Sequence, residues 1–106
     1  MTTFDKREEA FEKKFAIDEE LRFKTEARRN RLLGLWAASL LGRSGEAATA
    51  YARDVVAAEV DGAGGGALRK VNADLEAGGV AIPATELQAK VDELSALAIS
   101  QVKAGK

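Results

Sequence analysis

Few side chains in this sequence are suited to chemistry by type, and their spacing decides most cases against it. Neither histidine nor cysteine occurs in the 106 residues. The commonest general base and metal ligand are therefore missing, together with any thiolate nucleophile or disulfide. Carboxylates abound, and Glu8/Glu12 and Asp92/Glu93 would suit acid–base work by residue type. Pairs of this kind recur on any charged helical surface, and nothing gathers them into a pocket, so no catalytic residue, metal ligand or enzyme activity is expected.

Gly62-Ala63-Gly64-Gly65-Gly66-Ala67, with Arg69 and Lys70 behind it, superficially fits the G-x-G-x-x-A pattern of dinucleotide loops. That fingerprint needs a preceding strand, and here the preceding segment reads as helix. The stretch is therefore read as a stop and linker, with no cofactor beyond at most a weak anion or nucleotide contact at the next helix start. Lys24, Arg28, Arg29 and Arg31 form a basic cluster that could meet phosphates or an acidic protein. Glu26 and the acids at 18–20 offset it, and no aromatics interleave it, which favours a solvated face or a secondary protein-docking surface over nucleic acid. Trp36 and Tyr51 sit at helical core spacing and read as core.

The feature left without a place is a phenylalanine stripe. Phe4, Phe11 and Phe15 stand at i, i+7 and i+11, on one face of a helix. Residues 1–31 hold 17 charged side chains, whereas the 75 residues after them hold 16, so the stripe lies in a highly charged segment with no core of its own. A short helix there is marginal alone, since nucleation is costly below roughly 12–15 residues. The expected behaviour is a mobile arm that becomes helical when it docks in a groove. Folding back on the rest of the chain is the alternative. A membrane surface would call for a Lys/Arg-rich polar face, and this one mixes acids and bases evenly.

Four helical segments must position these residues. The first is organised around Asp18–Gly42, with Asp18 expected near an N-cap and Leu33, Trp36, Ala37, Leu40 and Leu41 as its buried stripe. Gly34 inside it suggests close packing, and Gly42 a C-terminal stop. Ser44 should cap a helix to about Val60, inward at Ala48, Tyr51, Ala52, Val55 and Ala58/Glu59. A third runs from Ala67 to Ala77 with Leu68, Val71 and Leu75 inside, and Gly78-Gly79 ends it. A fourth begins at Pro83, with Leu87, Val91, Leu94, Ala98 and Val102 in rhythm. With 21 alanines, one proline and no period-2 alternation, the chain is expected to be all-α. The expected architecture is a small four-helix up-down bundle over residues 18–106, with sequential helices adjacent, and a mobile arm over residues 1–17. A formal charge of −1, no secretory h-region and no apolar run near ~18 residues predict a soluble, cytoplasmic monomer. They predict neither nucleic-acid binding nor membrane insertion.

The order of residues also carries a resemblance. Phe4-x-x-Arg7-x-x-Ala10-Phe11-Glu12-x-Lys14-Phe15-Ala16 is followed by Asp18-Glu19-Glu20-Leu21-x-Phe23-Lys24-x-Glu26-Ala27-Arg28-Arg29-Asn30 and then Leu32-Leu33-Gly34-Leu35-Trp36-Ala37-Ala38. This resembles the alphaproteobacterial zeta subunit, an inhibitor of the F-type ATP synthase, over essentially the whole chain. The resemblance implies a four-helix bundle whose arm enters the interface of the alpha, beta and gamma subunits in the peripheral catalytic sector and blocks rotation in the hydrolysis direction. It would place Phe4, Arg7, Phe11, Glu12, Lys14 and Phe15 in the inhibitory arm, where Glu8 also falls, and would make Leu32, Leu33, Trp36 and Leu40 structural. The chain departs from the family pattern in its glycine-rich 62–66 loop and at Pro83. A helix-in-groove adaptor for some other protein is the alternative function.

Overall fold

The computed structural model describes residues 2–62 and 64–105, with side chains from residue 19 onward. The readings of the arm as mobile or folded back rest on side chains outside those described. Asp18, expected near an N-cap, instead falls inside a helix that begins at Thr2, because the charged run carries no Gly or Pro to break it. Among the described residues there are four helices and no strand: α1 Thr2–Leu40, α2 Gly45–Asp61, α3 Gly66–Ala77 and α4 Ala84–Lys103. The all-α four-helix expectation therefore stands.

The helix ends follow from local chemistry. After α1, the Arg43 N–H donates to the Ala38 carbonyl at 2.8 Å and the Gly42 N–H to Ser39 at 3.2 Å, with Gly42 at φ 77°. After α3, Val80 bonds back to Leu75 at 2.8 Å and Gly79 to Glu76 at 3.0 Å, with Gly79 at φ 75°. Both are Schellman caps, in which a left-handed glycine satisfies carbonyls the helix leaves over. Two starts differ from expectation. Pro83 occupies the N-cap position and not the first turn, its carbonyl accepting from the Leu87 N–H at 3.0 Å. Ser44 is the α2 N-cap residue, yet its hydroxyl makes no capping bond.

α1 packs against all three other helices, α2 also packs against α3, and α4 packs against α1. Sequential neighbours were expected throughout, but α3 and α4 approach nowhere within 8 Å between Cα atoms among the described residues. The reason is that α1 fills the middle: Leu33, Ala37 and Ala38 are buried and meet Tyr51 and Val55 of α2, Val71 and Leu75 of α3, and Leu87, Val91 and Leu94 of α4 in one core. The α1 stripe also sits differently from the expected one. Asn30, Leu33, Gly34, Ala37 and Ala38 are buried, Trp36 and Leu41 are half-buried, and Leu40 is 39% exposed. At 3.6 residues per turn, Leu40 falls roughly a quarter turn from the centre of that stripe.

Small residues set the helix spacing. A Cβ built on Gly34 would lie 2.6 Å from the Ala52 Cα, so α1 and α2 touch backbone to backbone there. A Cβ on Gly66 would run into the Ala58 carbonyl oxygen. Gly66 is buried as the first residue of α3, where a linker residue was expected. In an exposed helix interior, Gly→Ala is worth up to about 1 kcal/mol in favour of folding. At position 34 the sign is expected to reverse: Gly34→Ala should destabilise by about 1–3 kcal/mol, measured as a lowered denaturant midpoint at unchanged slope.

Candidate docking surface

The described half of α1 that precedes the core, residues 19–31, lies antiparallel to the end of α4. Arg28 Nη1 donates to Gln101 Oε1 at 3.3 Å, and further along Lys90 Nζ sits 5.8 Å above the Trp36 ring. Depressions flank α1 here on two sides. One, of about 580 Å³, has a floor of Leu21, Ala27, Val56 and Val102. Phe23 walls it and is 71% exposed. Lys24, Arg28 and Arg31, spaced i, i+4, i+7, line it too, as does Gly105. The other, of about 430 Å³, lies between Leu21, Thr25 and Arg29 of α1 and Ser95, Ile99 and Val102 of α4.

The basic cluster is thus divided. Lys24, Arg28 and Arg31 share the first groove. Lys24 also stands 3.8 Å from Glu20 in a fully wetted pair, an interaction worth little. Arg29 turns the other way: its Nε and Nη2 donate to the Oδ1 of buried Asn30 at 3.1 and 3.0 Å, and Nη2 lies 3.8 Å from Glu59. That contact ties α1 to α2.

Glu59 does more than its place on the α2 inward face suggested. Its two carboxylate oxygens accept the N–H groups of Gly65 at 3.3 Å and Ala67 at 3.0 Å. The N-terminus of α3 is the place where an anion would gain from unpaired N–H groups and the helix dipole, and the protein's own carboxylate already sits there. Arg69 closes the loop from outside, donating to the Gly62 and Gly64 carbonyls at 3.1 and 3.4 Å. A glutamate shortly before a glycine-rich helix start was the available sequence signal for this cap.

Tyr51 is 2% exposed, and its hydroxyl donates to Asp74 Oδ2 at 2.8 Å. Lys70 Nζ holds the same oxygen at 3.1 Å, while Arg43 and Lys70 lie 5.0 and 5.3 Å from the ring centre. Burial first, then the hydrogen bond to Asp74 and its charge, push the Tyr51 hydroxyl well above its ordinary value. For Asp74, burial pulls upward, but bonds from Tyr51 and Lys70 and the charges of Lys70 and Arg43 outweigh it and hold the carboxyl low. The raised tyrosine lends stability that is complete below about pH 10 and is lost as pH rises above it. The lowered aspartate lends stability that is present above about pH 4 and is lost as pH falls through its depressed value. Tyr51 is the sole tyrosine, so tyrosinate absorbance reads it directly. Its ionisation is expected to lag well past pH 10 and to move back toward that value in Asp74→Asn; an ordinary titration in the folded wild type would contradict the contact.

The arm residues Phe4, Arg7, Glu8, Phe11, Glu12, Lys14 and Phe15 have side chains outside those described. Among the described residues no group of three acidic, histidine or cysteine side chains is placed to hold a metal, and no helix is long and apolar enough to cross a membrane. The groove was not anticipated from the sequence, because its floor is assembled from α1, α2 and α4. The available signals were the basic cluster, of which Lys24, Arg28 and Arg31 line it, and Phe23, an aromatic within an otherwise charged run.

Comparison with known proteins places the chain beside a known family and beside solved structures. The family described as ATPase inhibitor subunit zeta matches residues 1–101. A chain solved by solution NMR is 44% identical, with a TM-score of 0.69, over 81% of this chain and 99% of that one. No curated protein matches.

Proposed function

From the premise that this chain belongs to the ATPase inhibitor zeta-subunit family, we propose that residues 1–17 are its inhibitory arm and residues 18–106 the bundle that carries it. An inhibitor of this family is not an enzyme; it binds ATP synthase and restrains ATP hydrolysis. The finer reading is that the arm enters the catalytic interface of the alpha, beta and gamma subunits in the peripheral sector. Phe4, Phe11 and Phe15 act as its apolar anchors, and Arg7, Glu8, Glu12 and Lys14 as its polar contacts.

The observation that carries this reading is the family match across residues 1–101, which includes the Phe stripe. The physics supports it. Ordering a short arm costs about 2–5 kcal/mol, which is recovered only where a groove takes the phenylalanines out of water. Binding then depends on a rotary state that opens such a groove, and rotation in the synthesis direction expels the arm. The experiment titrates the full chain and residues 18–106 against purified ATP synthase catalytic sector. Full-length protein blocks hydrolysis, and the truncated chain keeps its helicity and melting but does not inhibit. Retained inhibition by 18–106 would move the function to the bundle, and no inhibition by the full chain would favour an adaptor for another protein.

A further inference from the structure

We infer that the groove between Leu21–Arg31 of α1 and the end of α4 is a second docking site on this inhibitor, and that its occupant is an acidic, amphipathic helical segment of the ATP synthase catalytic sector. The inference rests on the reading of the chain as an ATP synthase inhibitor with an N-terminal arm.

Three observations select that occupant. Leu21, Ala27, Val56 and Val102 make an apolar floor of the kind that receives the nonpolar face of a helix. Phe23 stands beside it 71% exposed, a large aromatic that the chain's own core leaves uncovered. Among the described residues that line this floor the charges are of one sign: Lys24, Arg28 and Arg31. Glu20, which approaches Lys24 at 3.8 Å, does so in a pair exposed on both sides, so an incoming acid displaces it at little cost. Apolar floor and cationic rim together fit a helix with one nonpolar and one acidic face; a nucleic acid would find no aromatic platform beyond Phe23. The groove is also continuous with the proposed arm. Leu21 follows it by a turn on the same helix, so a partner that holds the arm reaches this surface without a separate encounter, and the two contacts reinforce each other through effective concentration.

The test uses the full chain, with Phe23→Ala and with Lys24→Glu/Arg31→Glu, both at exposed positions, and melting curves check the fold. Binding to the purified catalytic sector is measured as association and dissociation rates across salt, and inhibition is measured at saturation. Phe23→Ala is expected to weaken affinity about tenfold, mainly through faster dissociation. The double reversal is expected to slow association about tenfold at low salt, with the difference shrinking as salt rises. Maximal inhibition stays unchanged, because the arm is intact. Wild-type binding by both folded variants would overturn the inference. So would a shift in the chain's own sedimentation, which would make the occupant a second copy, or increased hydrogen exchange of residues 1–17 in the free variants, which would make it the arm itself. Loss of maximal inhibition by arm variants that still bind through the groove, or the reverse, separates this inference from the arm reading beneath it.

Discussion

Replacing Phe4, Phe11 and Phe15 together by alanine is expected to abolish inhibition at any practical concentration while leaving the bundle's melting unchanged. Burial of each phenylalanine is worth about 1.5–3 kcal/mol, so the three together supply roughly 5–9 kcal/mol of docking energy. Even the lower figure corresponds to more than about a thousandfold in affinity. Much of the arm's ordering cost must be met from the same three side chains, so the residual affinity falls below what electrostatics alone sustains. Single substitutions should lose less. Charge changes at Arg7, Glu8, Glu12 or Lys14 should act mainly on association rate and its salt dependence. Inhibition curves for the catalytic sector, with circular dichroism on the same samples, read both halves of the prediction. A triple variant that inhibits normally would remove the stripe from the mechanism. One that unfolds the bundle would make the stripe core.

Leu33→Ala is expected to have the largest effect on stability, about 3 kcal/mol within a range of 2–5. Leu33 is 1% exposed toward the C-terminal end of α1, in one core with side chains of the other three helices, so its removal opens a void that no single neighbour can fill. For a domain of this size the loss lowers the melting temperature by roughly 12–25 °C. Leu40→Ala, about two turns along and 39% exposed, should cost under about 1 kcal/mol. The contrast is diagnostic, because the apolar pattern of 32–41 makes the two leucines look alike. Below its lowered melting point Leu33→Ala should still inhibit, since on the proposed function the bundle serves to hold the arm.

The helices and most of the core were legible because they follow from local rules. Gly34 announced a close approach, and Ala52 lies against it. Gly42 and Gly79 announced helix stops, and both are left-handed caps. Val55, Val71, Leu75, Leu87, Val91, Leu94 and Ala98 fell at helical spacing and are buried. Features that depend on long-range placement were hidden. The non-adjacency of α3 and α4 follows from α1 occupying the centre, which no connection length reveals. Gly66 looked like linker because its constraint is the Ala58 carbonyl of another helix. Glu59 acts across the loop on Gly65 and Ala67, while Arg28 and Arg29 diverge because adjacent positions on a helix point about 100° apart. The arm is legible as a pattern of Phe4, Phe11 and Phe15 and no further, because on the proposed function the surface that orders it belongs to another protein.

The most direct test of the account places a photo-activated cross-linker at position 11 of the full chain, in place of Phe11, and maps its products on ATP synthase during hydrolysis. Illumination during inhibited hydrolysis is expected to give adducts on the alpha, beta and gamma subunits, and illumination of a parallel sample while synthesis is driven to give none. Adducts confined to the inhibitor's own bundle, or to subunits outside the catalytic sector, would contradict it.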